Sequence, residues 1–206
     1  MYRAGAQRGI SAIAAGAARF CRDRRGVAAI EFAFIVPVLL IMYFITMEAS
    51  QAIETSKKVS RIGSMVADLV TQQTSVKKAD LDAIMKIGTS TLQPYNRSTP
   101  TIIITGIQIT DEATPKVQVA WSRKLVGSTY SADAAKGSIT TVPTTLKIRN
   151  TFLVRVESDL GYKPIITWSA NDSKALGLTS AFNNISMGET YYLKPRRGPT
   201  VPCSDC

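Results

Sequence analysis

The stretch RRGVAAIEFAFIVPVLLIMYF, residues 24–44, decides how this chain is organised. Two arginines and a glycine lead into an apolar run over residues 27–47, in which Glu31 is the one charged residue. A helix of this length, at about 1.5 Å per residue, spans roughly 30 Å, which is the thickness of the hydrocarbon core of a bilayer. We therefore predict a single transmembrane helix over residues 27–47.

The distribution of charge predicts the orientation of that helix. Residues 1–26 hold six arginines and one aspartate, so they carry half of the formal net charge of +10. Basic residues favour the cytoplasmic side of a membrane helix, which places residues 1–26 in the cytoplasm and the rest of the chain in the periplasm. The other basic residues are thinly spread, a pattern that argues against nucleic acid as a partner.

Glu31 needs a separate explanation, because an acidic side chain at the centre of a membrane helix costs about 2.5–3.5 kcal/mol. Glu31 lies only about 7 Å along the helix axis from the start of the run. One interpretation is a carboxylate that reaches the membrane interface and pairs with Arg24 or Arg25. The neighbouring residues favour a second interpretation.

The segment RRGVAAIEFAFIVPVLL, residues 24–40, resembles the leader of type IV pilins and pseudopilins. It is similar more specifically to the TadE/TadG-like family of Tad (Flp) pilus assembly proteins, in which a glycine, small residues, Glu-Phe and a proline follow at this spacing. In pilin leaders a prepilin peptidase cuts after the glycine, so the resemblance implies cleavage between Gly26 and Val27. It also implies a role in processing and subunit register for Glu31 and Phe32, since pilin-like filaments pair this glutamate with the freed amine of a neighbouring subunit.

The chain beyond the apolar run predicts an α+β domain. Apolar residues spaced three and four apart continue the helix to about residue 73, and a second helix is predicted over residues 79–92. Strands are predicted by alternating or β-branched runs at residues 101–110, 116–125 and 151–160, with an edge strand within residues 191–197. We expect Val117, Val119 and Trp121 on one face of the second strand, and Phe152, Val154 and Val156 facing inward from the third.

The expected architecture is a long N-terminal helix packed on a small antiparallel sheet of three to four strands, as in pilins. Residues 127–143 are expected to form a loop that is mobile or carries a partner contact. The predicted organisation is a cytoplasmic leader (1–26), a transmembrane helix (27–47), a periplasmic domain (48–192) and a flexible tail (193–206).

The side chains available for chemistry are few. The sequence contains no histidine and three cysteines, so we expect no metal site and no cofactor. Cys203 and Cys206 form a CSDC motif for which a short disulfide is the favoured interpretation, with free thiols or redox or metal chemistry as alternatives. SVKK, residues 75–78, fits an S-x-x-K motif of penicillin-binding proteins, but it lacks the companion motifs and is read as a chance match.

The resemblance therefore implies a structural protein and not an enzyme. Its chain length is closer to TadE-like pseudopilins than to TadG, and implies a minor pilin or pseudopilin of a Tad-type pilus or related secretion apparatus. The expected location is the bacterial inner membrane, as a single-pass protein, with other pilins, Tad assembly proteins and a prepilin peptidase as partners. The alternative is an uncleaved, membrane-anchored periplasmic binding or scaffold module.

Overall fold

A computed structural model describes residues 26–164 and 185–206. It divides into two compact units, the first ending at Met47 and the second beginning at Glu48. Helix α1 runs over Val27–Thr71 and includes Pro37, so the predicted helix is confirmed but ends slightly before residue 73. The leader residues 1–25, with both arginines proposed to pair with Glu31, lie outside the described residues.

Helix α2, Lys78–Ser90, follows α1 after a short connection. The Asp80 carboxylate accepts a 2.9 Å hydrogen bond from the backbone N–H of Lys77, which satisfies one of the free donors at the helix N-terminus. Further along, the Asp82 carboxylate receives two 2.7 Å hydrogen bonds from the Arg123 guanidinium. The hydrogen bond to Asp82 also raises the pKa of Arg123. This ion pair fixes α2 to the sheet.

In the described part of the chain, the sheet has five antiparallel strands in the order β3-β2-β1-β4-β5. Their bounds are β1 Thr101–Ile109, β2 Val117–Val126, β3 Thr129–Ser131, β4 Phe152–Tyr162 and β5 Ile185–Leu193. The α+β class and the predicted hairpin of β1 with β2 are confirmed. The predicted count of three to four strands is too low, because the short β3 lies within the segment predicted as a loop.

The main core lies between the helices of the second unit and one face of the sheet. Its helical members are buried at the predicted three-and-four spacing, including Val59, Ile62 and Val66 on α1. The strand β4 contributes Phe152, Val154 and Val156 to this core, as predicted, together with Leu160 and Tyr162.

Gly63 lets α1 approach the sheet closely. A Cβ atom at this position would lie 2.8 Å from the ring of Tyr191 and 2.9 Å from Ser158 Oγ, which is closer than side-chain carbons normally pack. Two hydrogen bonds flank the contact: Ser158 Oγ donates to the Val59 carbonyl at 3.2 Å, and Ser60 Oγ lies 2.5 Å from the Tyr191 hydroxyl. The glycine is weak in helix propensity, but packing between α1 and strands β4 and β5 requires it.

An irregularity in β2 corrects the predicted face of that strand. Gly106 pairs with Trp121, but the next residue, Ile107, pairs with Val119, so one residue of β2 is unpaired. Such a bulge shifts the alternation of side chains by one position. Trp121 therefore joins the main core, while Val117 joins a second core on the opposite face with Ile107. The prediction that Val117, Val119 and Trp121 share one face of β2 is therefore wrong, because Trp121 lies on the face opposite to Val117.

The segment 127–143 is packed against β2 rather than extended as a plain loop. Besides forming β3, it returns along the strand, where the Val119 N–H donates to the Ser138 carbonyl at 2.9 Å and the Val119 carbonyl accepts from Gly137 N at 2.7 Å. These backbone hydrogen bonds differ from the mobile loop that was expected over residues 127–143. A partner contact on this segment stays a prediction.

The C-terminal segment, residues 194–206, also packs on the second unit. Val201 is completely buried, and its carbonyl accepts a 2.7 Å hydrogen bond from Trp121 Nε1. Cys203 forms a parallel β-bridge with Val76, and Arg196 pairs with Asp68. A flexible tail was expected over residues 193–206, but the structure shows a packed segment. Its polar groups bind partners that are distant in sequence, which a local pattern does not reveal.

Candidate functional site

The first part of α1 is an exposed apolar surface. Phe34 is 74% exposed, Phe32 is 68% exposed and Val38 is 62% exposed, although apolar side chains of this size are usually buried. Among the described residues, α1 is the one helix that is long and apolar enough to cross a membrane, as judged by its length and composition. Its N-terminal apolar surface therefore needs lipid or another protein to cover it.

The residues predicted for processing and register lie at the start of this surface. Gly26 immediately precedes α1, and both it and Val27 are exposed. Val27 and Glu31 are four residues apart, so they lie one turn apart on the same side of the helix. Glu31 and Phe32 are exposed as well. The arrangement presents an accessible peptide bond, a carboxylate one turn away and an aromatic ring beside it.

The comparison with known families concerns this same part of the chain. Residues 26–61 match the model of the TadE-like protein family. Over these residues, the chain is similar to TadE-like proteins. The match confirms the resemblance seen in residues 24–40 and extends from Gly26 into the packed part of α1. No curated protein and no solved structure shows a significant match to the chain.

The family relates this chain to Tad pilus assembly. TadE-like pilus proteins are structural proteins rather than enzymes. Within residues 26–164 and 185–206, one helix is long and apolar enough to span a bilayer, which is consistent with a membrane-anchored pilin.

Sequence analysis missed a polar cluster at the beginning of the second unit, formed by Glu48, Tyr95, Arg97 and Tyr162. Glu48 is only 4% exposed, and Tyr162 donates a hydrogen bond from its hydroxyl to the Glu48 carboxylate. The rings of Tyr95 and Tyr162 stack with centroids 5.6 Å apart, and the Arg97 guanidinium lies 4.6 Å from the Tyr95 ring centroid. We call this group the tyrosine–glutamate cluster.

The tyrosine–glutamate cluster fixes the start of the packed helix to the end of β4. Arg97 Nε donates to the Lys163 carbonyl at 2.8 Å, and the Lys163 N–H donates to the Tyr95 hydroxyl, also at 2.8 Å. Burial raises the pKa of Tyr162, and the hydrogen bond to Glu48 raises it further. The phenol therefore stays protonated at neutral pH and serves as a donor. The arrangement is structural, because its polar groups bond to one another within the second unit.

The two cysteines of the CSDC motif lie together in the second unit. Cys203 and Cys206 form a disulfide, and the Asp205 carboxylate within the same loop lies 3.5 Å from Cys203 Sγ. These three residues are the group of potential metal ligands found among the described residues. Because a metal binds a thiolate and both sulfurs are joined to each other, the arrangement in the structure offers no thiolate ligand.

A groove of about 360 Å³ lies beside the disulfide. Its lining residues include the aromatic side chains Trp121 and Phe152, the polar side chains Gln118 and Lys136, and the C-terminal residues Thr200, Pro202 and Cys203. Both aromatic rings are at least nine-tenths buried, and the indole N–H is already bonded to Val201. Among the described residues that line the groove, none is a nucleophile with an adjacent general base, so these residues do not indicate a catalytic site.

Proposed function

We propose that the chain is a minor pilin or pseudopilin of a Tad-type pilus or related secretion apparatus. The observation that carries this proposal is the combination of an exposed apolar helix with Gly26, Val27 and Glu31 at its start. Helix packing, and no catalysis, would be its contribution to assembly. The packed domain beginning at Glu48 would remain on the outer side of the membrane.

Cleavage after Gly26 would change the chemistry of the helix start. It would create a free amine at Val27, one helical turn from Glu31 on the same side. A carboxylate in hydrocarbon is costly alone, but a positive amine of a neighbouring subunit would compensate its charge and define the axial register of the two helices. This function for Glu31 explains why an acidic residue is retained in an apolar run.

The proposed location is the bacterial inner membrane, as a single-pass protein with its N-terminus in the cytoplasm. The six arginines of residues 1–26 support this orientation through the positive-inside rule. Proposed partners are a prepilin peptidase on the cytoplasmic face and other pilins, pseudopilins and Tad assembly proteins within the membrane.

The deciding experiment measures the intact mass and N-terminal sequence of the protein isolated from membranes of cells that contain the pilus system. We expect a chain that begins at Val27. The variant Gly26→Leu should retain the full leader, whereas the matched variant Ala28→Leu, also on the exposed helix start, should still be processed.

The substitution at Gly26 should cause no steric clash, because a Cβ there would meet no other described atom within 4 Å. A failure of Gly26→Leu to be processed would therefore reflect recognition by the peptidase and not a clash within the subunit. Detection of the wild-type chain beginning at Met1 would overturn processing. It would favour the uncleaved membrane-anchored binding or scaffold module.

A further inference from the structure

The C-terminal disulfide lies at a point where three separate contacts meet. The Val76 N–H donates to the Pro202 carbonyl at 2.9 Å, and the Val76 carbonyl accepts from Ser204 N at 3.1 Å. The two bonds enclose Cys203, which forms the parallel bridge with Val76. The residues on both sides of Cys203 are therefore tied to the connection between α1 and α2.

Asp205 forms the second contact, and it lies inside the disulfide loop. Its Oδ1 accepts a 2.8 Å hydrogen bond from the backbone N–H of Lys78, the first residue of α2. This donor is one of those that a helix N-terminus leaves unsatisfied, and a carboxylate there is also favoured by the helix dipole. The Cys203–Cys206 bond holds Asp205 in a ring of four residues. Closing the ring restricts the backbone that presents the carboxylate to α2.

The third contact is with the main core. Val201 is completely buried, and the buried hydrogen bond from Trp121 to its carbonyl holds the segment against β2. Pro202 and Cys203 continue from there as the wall of the groove that Trp121 and Phe152 line. Movement of this segment would therefore expose the indole and open the groove.

The disulfide itself is accessible to a reductant. Cys206 is exposed and Cys203 is half-buried, so an incoming thiolate can reach the sulfur of Cys206. A disulfide closed by exposed residues exchanges with external thiols more readily than one enclosed in a core. The disulfide is thus accessible from solvent, and it lies in the same segment as Asp205, which caps α2, and Val201, which binds the buried Trp121.

We propose that the Cys203–Cys206 disulfide is a reducible clasp, which a dithiol oxidoreductase opens to release residues 199–206 from α2 and from Trp121. A thiolate of the reductant attacks Cys206 Sγ, the S–S bond breaks, and Cys203 leaves as a thiolate that takes up a proton. The second thiolate of the reductant then attacks the mixed disulfide and frees Cys206. Two electrons pass to the protein, and the reductant becomes a disulfide.

The test uses the full chain in detergent micelles with Cys21→Ser, so that no other thiol is present, and dithiothreitol as the reductant. Alkylation followed by intact mass counts the thiols before and after treatment. Amide hydrogen exchange then reports on the N-terminus of α2. On reduction, exchange at Val76 and Lys78 should rise about tenfold, as expected for the loss of a charged helix cap and its restraining ring.

Tryptophan emission provides a second, independent readout. The sequence has two tryptophans, so Trp168→Phe leaves Trp121 as the sole reporter. Its emission should shift to longer wavelength on reduction, because release of Val201 admits water to the indole. The amides of β4 serve as an internal control, and their exchange should not change.

Two variants separate the clasp from a general stabilising role. Cys203→Ser with Cys206→Ser should match the reduced protein and should not respond to dithiothreitol. Asp205→Asn should raise exchange at Lys78 while leaving Trp121 emission unchanged. If the double variant does not fold, reoxidation of the reduced wild type serves instead, and it should restore the slow exchange.

The proposal is overturned if complete reduction leaves exchange at Lys78 and the emission of Trp121 unchanged. It is also overturned if exchange in β4 rises as much as exchange at Lys78, since the disulfide would then support the whole domain and not a local release. Either result leaves the processing of the leader unaffected, so the clasp and the proposed pilus function can fail separately.

Discussion

Glu31 and Glu48 are carboxylates of the same helix in opposite surroundings. Glu31 is exposed among apolar side chains, whereas Glu48 is 4% exposed and accepts a hydrogen bond from Tyr162. Within the described part of the chain, Glu48 has its partner in the same subunit. The proposed partner of Glu31 is a neighbouring subunit. The two residues thus mark an exposed part of α1, which we propose serves assembly, and a part that packs within the fold.

The same division holds for the apolar residues of α1. Phe32, Phe34 and Val38 are each more than half exposed, while Val59 and Val66 are almost completely buried. A side chain added to the exposed part has room in the isolated subunit, but one added to the packed part does not. This difference leads to four predictions, from the largest expected effect on domain stability to the smallest.

Replacing Gly63 should have the largest effect. In Gly63→Leu, the new Cβ would lie 2.8 Å from the Tyr191 ring and 2.9 Å from Ser158 Oγ, so these side chains or α1 itself must shift. Overpacking of this kind costs about 1–3 kcal/mol or more. Denaturant unfolding of the full chain in detergent, followed by circular dichroism, measures the loss.

Gly26→Leu is the matched control for this prediction, because a Cβ at Gly26 meets no described atom within 4 Å. It should leave the free energy of unfolding of the domain unchanged. Equal stability of Gly63→Leu and wild type would show that α1 does not pack closely on β4 and β5 at this position.

Glu48→Ala should have the next largest effect. It removes a buried acceptor of the Tyr162 hydroxyl, and leaving a buried polar group unsatisfied costs about 1–3 kcal/mol. The double variant Glu48→Ala with Tyr162→Phe should lose less than the sum of the two single variants, because it removes both partners. Strictly additive losses in the same unfolding assay would contradict a direct interaction between the two side chains.

How far these features could be predicted depends on the range of the interactions behind them. The apolar spacing of residues 59–70 and the alternation in Phe152, Val154 and Val156 are local patterns, and the structure bears them out. The Gly26 to Phe32 motif is likewise contiguous, which is why it was recognised in sequence and matched by the family model.

The features that were missed arise from contacts between distant residues. Helix propensity identifies Gly63 as a weak point, but only the position of Tyr191 shows that α1 needs a glycine there. The bulge beside Trp121 interrupts an alternation that appears regular in sequence. The sequence of residues 194–206 appears polar and irregular, yet Val201 is buried and its carbonyl accepts a hydrogen bond from Trp121. Sequence patterns over a few neighbouring residues cannot identify partners that lie this far apart in the chain.

The Tyr162 hydroxyl predicts a pH dependence that tests the same cluster. Its pKa is raised in the folded protein by burial and by Glu48, so the folded state holds the phenolic proton more tightly than the unfolded state does. The resulting stability is complete below the unfolded pKa of about 10 and is lost as the pH rises above it, by up to about 1.4 kcal/mol per pH unit.

The measurement compares wild type with Tyr162→Phe in denaturant unfolding between about pH 9 and pH 11, a range that spans the unfolded pKa of tyrosine. The difference in stability between the two proteins should shrink as the pH rises, since the variant has no phenol to ionise at this position. A difference that stays constant over this range would mean that Tyr162 ionises equally easily in both states.

Glu31→Gln should have the smallest effect on the free energy of unfolding of the domain, in contrast to Glu48→Ala. The substitution keeps the size of the side chain and removes its charge, and exposed positions of this kind change stability by less than about 0.5 kcal/mol. Unfolding of the domain should match wild type, while copurification with other pilus subunits from membranes should fall. Loss of domain stability comparable to that of Glu48→Ala would show that Glu31 has a partner within its own subunit. Preserved stability with normal copurification would instead remove the assigned role in subunit pairing, because the charge would then be dispensable for both the fold and the assembly.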